Sequence, residues 1–183
     1  MKGSLKRETK ETCIEVSLST GSGAICDVST GIKLLDAVLR NFAEASGIGL
    51  EVRAAGDLET GDHHTTEDVG ITIGRVLAKL ANNGIGSATV PKGECLAAAA
   101  IRLGEPGYKA DFVFRDQEMD GMSLENVGHF LRALAYNGNF TLHIKAEGEN
   151  DRSKIEAMSA AVGKALKNAM EDGAEIGKDR KEI

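Results

Sequence analysis

Apolar residues recur along the chain with two different periods. Between Thr12 and Ser19, Ile14, Val16 and Leu18 alternate with Cys13, Glu15 and Ser17, the two-residue repeat of a half-buried strand. Gly21-Ser22-Gly23 supplies a turn, and Ala24 to Val28 reads as a second strand. Ser29 or Thr30 is placed to cap a helix whose apolar positions, Leu34, Leu35, Val38, Leu39 and Phe42, fall at helical spacing, and Gly47 stops it. Gly49 to Ala55 reads as a third strand, and Gly56 to Gly61 is a polar connection with room for a short fourth. A second helix opens at His63-His64 and runs through Val69, Ile71, Ile73, Val76, Leu77 and Leu80 to Asn82 or Asn83.

The pattern then starts again. Ala88 to Leu103 reads as one extended segment rich in small residues, Tyr108 to Phe114 as a strand, Leu124 to Asn137 as a helix, Asn139 to Ala146 as a strand and Asp151 to Met170 as a final helix. Glu175 to Ile183 is charged and expected to be loosely ordered. The repetition extends to residues. Leu50-Glu51-Val52-Arg53-Ala54-Ala55-Gly56 overlays Leu142-His143-Ile144-Lys145-Ala146-Glu147-Gly148 at an offset of 92, and Leu39-Arg40 meets Leu131-Arg132 at the same offset. Across the next loop the offset is 89, so Glu67 meets Glu156, Gly74 meets Gly163 and Leu77 meets Leu166. Two similar ββαβα halves that bury their helix faces against each other are the expected architecture. The repeats are placed at 1–86 and 87–172, with a charged tail at 173–183.

Composition narrows the partners. Hydrophobic content is 42% and charged content 27% over 183 residues, ordinary for a soluble globular chain. Aromatics make up 4% and Trp is absent, so Ala, Ile, Leu and Val must build the core. A net charge of -6 argues against nucleic acid and against anionic membrane surfaces. Cys13, Cys26 and Cys95, odd in number and without motif spacing, read as reduced thiols of a cytoplasmic protein. Met1 to Arg7 lacks an apolar signal core, and no run approaches transmembrane length.

Candidate chemistry concentrates in Gly61-Asp62-His63-His64-Thr65-Thr66-Glu67-Asp68, which holds two of the four histidines. On a helix, His63 and Glu67 share a face and His64 points elsewhere. Imidazole and carboxylate are ligands for Mn, Zn or Fe. A second reading is open: two solvated histidines at a helix start, with Asp62 as N-cap.

Further segments carry a family likeness. Arg7-Glu8-Thr9-Lys10-Glu11-Thr12, Thr30-Gly31-Ile32 with Leu35-Asp36, Gly56-Asp57-Leu58 and Asp62 to Val69 resemble imidazoleglycerol-phosphate dehydratases, enzymes of histidine biosynthesis. So do Val127-Gly128-His129-Phe130, Thr141-Leu142-His143-Ile144 and Gly148-Glu149-Asn150 followed by Glu156-Ala157. The resemblance implies an α+β fold of two tandem ββαβ(β)α repeats, ribosomal protein S5 domain 2-like, with two four-stranded sheets enclosing a helical layer. It also implies homo-oligomers, trimers that build a 24-mer. Active sites between subunits would hold two Mn ions, each on three histidines and one glutamate. One histidine would come from each first helix, the rest from a His-His-x-x-Glu motif in each repeat.

Position by position the likeness is uneven. The first-helix histidine of repeat one is here Ala37, and its counterpart in repeat two is His129. The first His-His-x-x-Glu is whole: His63, His64 and Glu67. The second reads Arg152-Ser153-Lys154-Ile155-Glu156, and Glu156 alone survives. To His63 and Glu67 the resemblance adds His129 and the position of Ser153, which leaves three protein ligands, enough with water to hold a divalent metal. The other centre would use Ala37, His64, Arg152 and Glu156. It places a permanent guanidinium where a cation should go, and is expected to be empty of metal, with Arg152 and Glu156 able to pair with each other. Here too the alternative is open that these are ordinary solvated helix-start residues. Manganese, one per chain, or another divalent metal is the expected cofactor.

Phosphate recognition looks damaged as well. The resemblance calls for arginines after a Gly-Ile and ahead of a tyrosine, where this chain has Gly84-Ile85-Gly86-Ser87 and Gly104-Glu105-Pro106-Gly107-Tyr108. Arg102 and Lys92 are stray cations nearby, and Glu94 remains of an acidic pair. Glu11 and Glu67 are the candidate acid/base residues, although Glu11 reads equally as a surface strand carboxylate. The reaction implied is removal of water from a glycerol side chain on an imidazole, which needs metals on both ring nitrogens. The expected function is that of an impaired dehydratase, a hydro-lyase acting on imidazole glycerol phosphate or a relative. The alternative is a non-catalytic relative that keeps fold and assembly with at most one metal. RNA binding through a ribosomal-protein-like fold is disfavoured by the charge balance.

Overall fold

The computed structural model describes residues 1–21, 25–56, 61–80 and 83–179. The first unit comprises β1 (Lys2–Glu8), β2 (Thr12–Thr20), β3 (Cys26–Ser29), α1 (Lys33–Ser46), β4 (Ile48–Gly56) and α2 (His63–Leu80). The second comprises β5 (Ile85–Lys92), β6 (Cys95–Leu103), β7 (Gly107–Asp111), a small hairpin of β8 (Glu118–Met119) and β9 (Met122–Ser123), α3 (Glu125–Asn137), β10 (Phe140–Glu147) and α4 (Asp151–Asp179). The sheets have matching orders, β1-β2-β4-β3 and β5-β6-β10-β7, and in each the last pair is parallel.

The expected α+β duplication is therefore present, with its strands partly redistributed. The fourth strand of each sheet stands at the start of its unit. β1 escapes a hydropathy reading because only Leu5 is apolar on its inner face, where Arg7 also points. Ala88 to Leu103 is two strands rather than one. In β6 the residues Cys95, Ala97, Ala99, Ile101 and Leu103 are buried and those between them exposed. Alanine on both faces hides that alternation. β5, the first strand of the second unit, starts at Ile85. The expected turn at Ser22-Gly23, the possible strand within 57–60 and the helix end at Asn82 lie outside the described residues.

Helix ends also differ from expectation. Neither Ser29 nor Thr30 is the N-cap of α1; Ile32 is. Thr30 instead donates its backbone N–H and its hydroxyl to Asp36 Oδ1, at 2.9 and 2.6 Å. The final helix continues past Met170 to Asp179, where a loose tail was expected. Beyond Met170, Asp172 accepts the backbone N–H of Ile85 at 2.9 Å and ties that turn of the helix to the start of β5.

The helices form one shared layer. α2 lies on β1 and β2, α4 lies on β5 and β6, and the helices pair across the repeat as α2 with α3 and α1 with α4. Both crossings use the same device. A Cβ on Gly74 would stand 2.7 Å from the Leu134 carbonyl oxygen, and one on Gly163 would stand 2.6 Å from that of Phe42. Gly74 and Gly163 are related by the offset of 89, and Phe42 and Leu134 by that of 92. The chain turns in the same way after each first helix, with positive φ at Gly47 (69°) and at Asn139 (53°), also 92 apart.

Gly74→Ala and Gly163→Ala should each cost about 1–3 kcal/mol, because backbone must move to admit the methyl group. Gly128 of α3 is the control: its Cβ would meet nothing nearer than the Tyr108 hydroxyl at 3.8 Å. Gly128→Ala should leave stability unchanged or raise it by about 0.5–1 kcal/mol through helix propensity. Urea midpoints of the three variants check this ranking.

Candidate functional site

The first turn of α2 meets α3 where the two helices converge. His63 Nε2 lies 3.5 Å from Glu67 Oε2, one turn along the same face. The His129 ring of α3 stands edge-on to that of His63, with centroids 4.9 Å apart. One chain therefore gathers three sequence-predicted residues, His63, Glu67 and His129. His64 turns away, as its spacing requires. Its Nδ1 sits 3.1 Å from Glu11 Oε2, so the structure brings the candidate carboxylate of the β1–β2 turn to the second imidazole. Both of these side chains are more than half exposed.

That turn is held in place by a carboxylate beneath it. Asp68, one turn into α2, takes Arg7 Nη1 and the Thr12 hydroxyl on one oxygen, each at 2.5 Å. Thr9 closes the loop by accepting the backbone N–H groups of Glu11 and Thr12 at 3.2 and 3.0 Å. Arg7 and Thr12 thus tie the strand pair to α2, and Glu11 at the tip follows.

Asp62 stands at the N-terminal end of α2, where its carbonyl accepts the Thr66 N–H at 3.0 Å, while its carboxylate reaches across to α3. Its Oδ2 accepts the backbone N–H of Ser123 at 3.1 Å and the Asn126 amide N–H at 2.8 Å. Asn126 is buried, and its Oδ1 lies 2.9 Å from His63 Nδ1. Sequence reasoning passed over Asn126. The signal was available, since the offset of 92 sets it against an apolar residue, Leu34.

The pseudo-symmetric place, where α4 meets α1, collects Ala37, Arg152 and Glu156 around one small depression. Arg152 and Glu156 do not pair with each other. Arg152 Nη2 donates to Asp120 Oδ2 at 2.8 Å, and this bond holds the guanidinium even more firmly charged than usual. Glu156 is taken by Lys92 Nζ at 3.0 Å, so a cation that looked stray in the sequence has a partner. Ser153 lies in the first turn, where its N–H donates to Asn150 Oδ1 at 2.9 Å. Glu94 serves structure: it accepts the N–H groups of Glu149 and Asn150 and steadies the loop before α4.

The donor sets at the two places differ in kind. His63, Glu67 and His129 are imidazole and carboxylate side chains, with Glu67 and His129 each beside His63, and as donor types they fit a divalent cation. Among the described residues no three His, Cys, Asp or Glu side chains already close around a metal position. Ala37, Arg152 and Glu156 do not fit one, because they offer a single ligand and a fixed positive charge.

The architecture defines a class: duplicated α+β proteins whose imidazole and carboxylate donors sit at pseudo-symmetric helix starts. Comparison with known proteins makes the class specific. The profile of the family described as imidazoleglycerol-phosphate dehydratase matches residues 30–166. The imidazoleglycerol-phosphate dehydratase of Methanosarcina barkeri is 38% identical, with 95% of each chain covered. That of Desulforudis audaxviator is 39% identical, covering 96% of this chain and 93% of its own. The crystal structure of the Staphylococcus aureus imidazoleglycerol-phosphate dehydratase superposes with a TM-score of 0.83 at 29% identity, over 93% of this chain and 98% of that one. The chain belongs to the imidazoleglycerol-phosphate dehydratase family.

Asp151, the counterpart of Asp62, anchors the start of α4. It is buried, and burial alone would raise its carboxyl. The N–H groups of Asp116 and Arg115 and the ammonium of Lys154 outweigh that and hold it below the usual carboxylate range. Stability carried by such a group is complete above the ordinary range and is lost as pH falls through the depressed folded value. Asp151→Asn should therefore lower stability at neutral pH by about 1–3 kcal/mol. The gap to wild type should close as the solution is made acidic, as read from urea midpoints across pH.

Proposed function

We propose that this chain is a divergent dehydratase that holds one divalent ion, manganese or another metal of similar preference, through His63, Glu67 and His129. Its dehydration of imidazole glycerol phosphate, or of a related small molecule, is impaired. The observation that carries the reading is the contrast between the two helix starts. One presents imidazole and carboxylate side chains and no cationic one. The other has its carboxylate on Lys92 and its arginine on Asp120.

A bound divalent ion supplies Lewis-acid polarisation of an imidazole nitrogen. The chain's own residues supply the rest. Glu67 and His129 flank the His63 ring and orient what binds there. Glu11 and His64, 3.1 Å apart, form a couple able to accept and return a proton. With two fixed cations at the second place, the clamp on a second ring nitrogen is missing, and the departing hydroxyl loses its main electrostatic assistance.

The two ion pairs at the second place also favour a second reading: a non-catalytic relative that keeps fold and assembly with at most one metal. Both readings place the protein in the cytoplasm as a homo-oligomer, a trimer or a 24-mer, without nucleic acid or membrane. The net charge of -6 weighs against a nucleic-acid partner, and no helix among the described residues is long and apolar enough to cross a membrane.

Metal analysis of the purified protein should return at most one tightly bound divalent ion per chain. His129→Ala should weaken its binding by more than the ~10–100-fold that loss of an outer-shell partner costs. Slow turnover of imidazole glycerol phosphate would support the impaired enzyme, and none at all the non-catalytic relative. Two ions per chain, or turnover matching that of the Methanosarcina barkeri relative, would overturn the proposal.

A further inference from the structure

The least expected side chain near the first helix start is Asn126. It is 2% exposed, yet it is an amide on a helix whose other buried residues are all apolar. At the equivalent position of the other repeat stands Leu34, also 2% exposed, so the fold itself asks for an apolar residue there. A buried amide is costly unless its polar atoms are paired. Asn126 has both kinds of atom paired, its N–H on Asp62 and its oxygen on His63 Nδ1.

The direction of this chain of hydrogen bonds is fixed at one end. Asp62 Oδ2 receives the backbone N–H of Ser123, and an amide N–H can only donate. As a carboxylate, Asp62 also accepts from Asn126, which sets the amide with nitrogen toward Asp62 and oxygen toward His63. A carbonyl oxygen can only accept, so Nδ1 of His63 must carry the proton. In the neutral ring the lone pair is then on Nε2, which faces the Glu67 carboxylate at 3.5 Å. Two acceptors face each other there with no hydrogen between them, an arrangement that a cation relieves.

We propose that Asn126 is a positioning residue: it passes the acceptor character of Asp62 to His63, fixes the Nδ1–H tautomer, and so presents Nε2 together with Glu67 to a divalent cation. The ring's hydrogen-bonding state is independent of any metal; its use in holding one rests on the functional reading above. Metal-binding histidines commonly have their other nitrogen tied in this manner. Here the tie is an amide backed by a carboxylate, and it comes from the opposite repeat.

The test uses the full-length, metal-free, 15N-labelled protein at about pH 8.5, above the ordinary imidazole range. Long-range proton–nitrogen correlation should show His63 protonated at Nδ1 and bare at Nε2. Asp62→Asn keeps shape, and its side-chain oxygen can still accept the Ser123 N–H, but a neutral amide accepts more weakly than a carboxylate and so holds Asn126 less firmly in one direction. It should populate the Nε2–H tautomer and weaken Mn2+ binding about 10–100-fold by titration calorimetry. Asn126→Leu restores the residue type of the other repeat, and should unfix the tautomer without loss of helical circular dichroism. An Nε2–H ring in the wild type, or a tautomer unmoved by both variants, would overturn the inference. A wild type with the expected tautomer that binds no Mn2+ would uphold the inference and defeat the metal reading instead.

Discussion

Two backbone contacts decide how this molecule is built. Where Gly74 crosses the carbonyl of Leu134, and Gly163 that of Phe42, no side chain separates the helices. Such proximity brings the first turn of α2 beside α3, and that of α4 beside α1. The surrounding core of alanine, leucine, isoleucine and valine then fills whatever space the crossings leave. Because the second contact repeats the first at the offsets seen in the sequence, the fold holds two places of the same geometry, each made by one element from either half.

Identical scaffolding at the two places isolates the effect of chemistry. At one, Asp62 and Asn126 orient His63 beside Glu67 and His129. At the other, the equivalent aspartate, Asp151, is spent on Arg115, Asp116 and Lys154, and the helix start carries Arg152 and Ser153. Exposed ion pairs such as Arg152 with Asp120 and Lys92 with Glu156 contribute little to folding. They matter because they neutralise charge locally, so the second place has no electrostatic need for a metal.

Much of this was legible in the sequence, and what was not has physical reasons. Regular spacing revealed α1, α2 and α3, and matched residues revealed the duplication, because burial on one face leaves a periodic trace. β1 left none, since its inward residues include an arginine whose partner, Asp68, is 61 positions away. The β5–β6 hairpin was masked by alanines, which suit either face. At the candidate site, the pairing of His63 with Glu67 followed from helix geometry alone. The partners of Arg152, Glu156 and Asp62 did not, for each lies on a different element brought close only by the tertiary fold. Asn126 is the instructive omission: a polar residue at a repeat position that elsewhere carries leucine.

The way the helices pair has a bearing on synthesis. α1 leaves the ribosome more than a hundred residues ahead of its partner α4. Until then the nascent first half must display the apolar flank on which α4 will settle. Loop closure over that distance is slow compared with local helix formation. The half-made chain is thus a sticky species, and the interval before its C-terminal helix arrives is when chaperones or sister chains would most readily capture it.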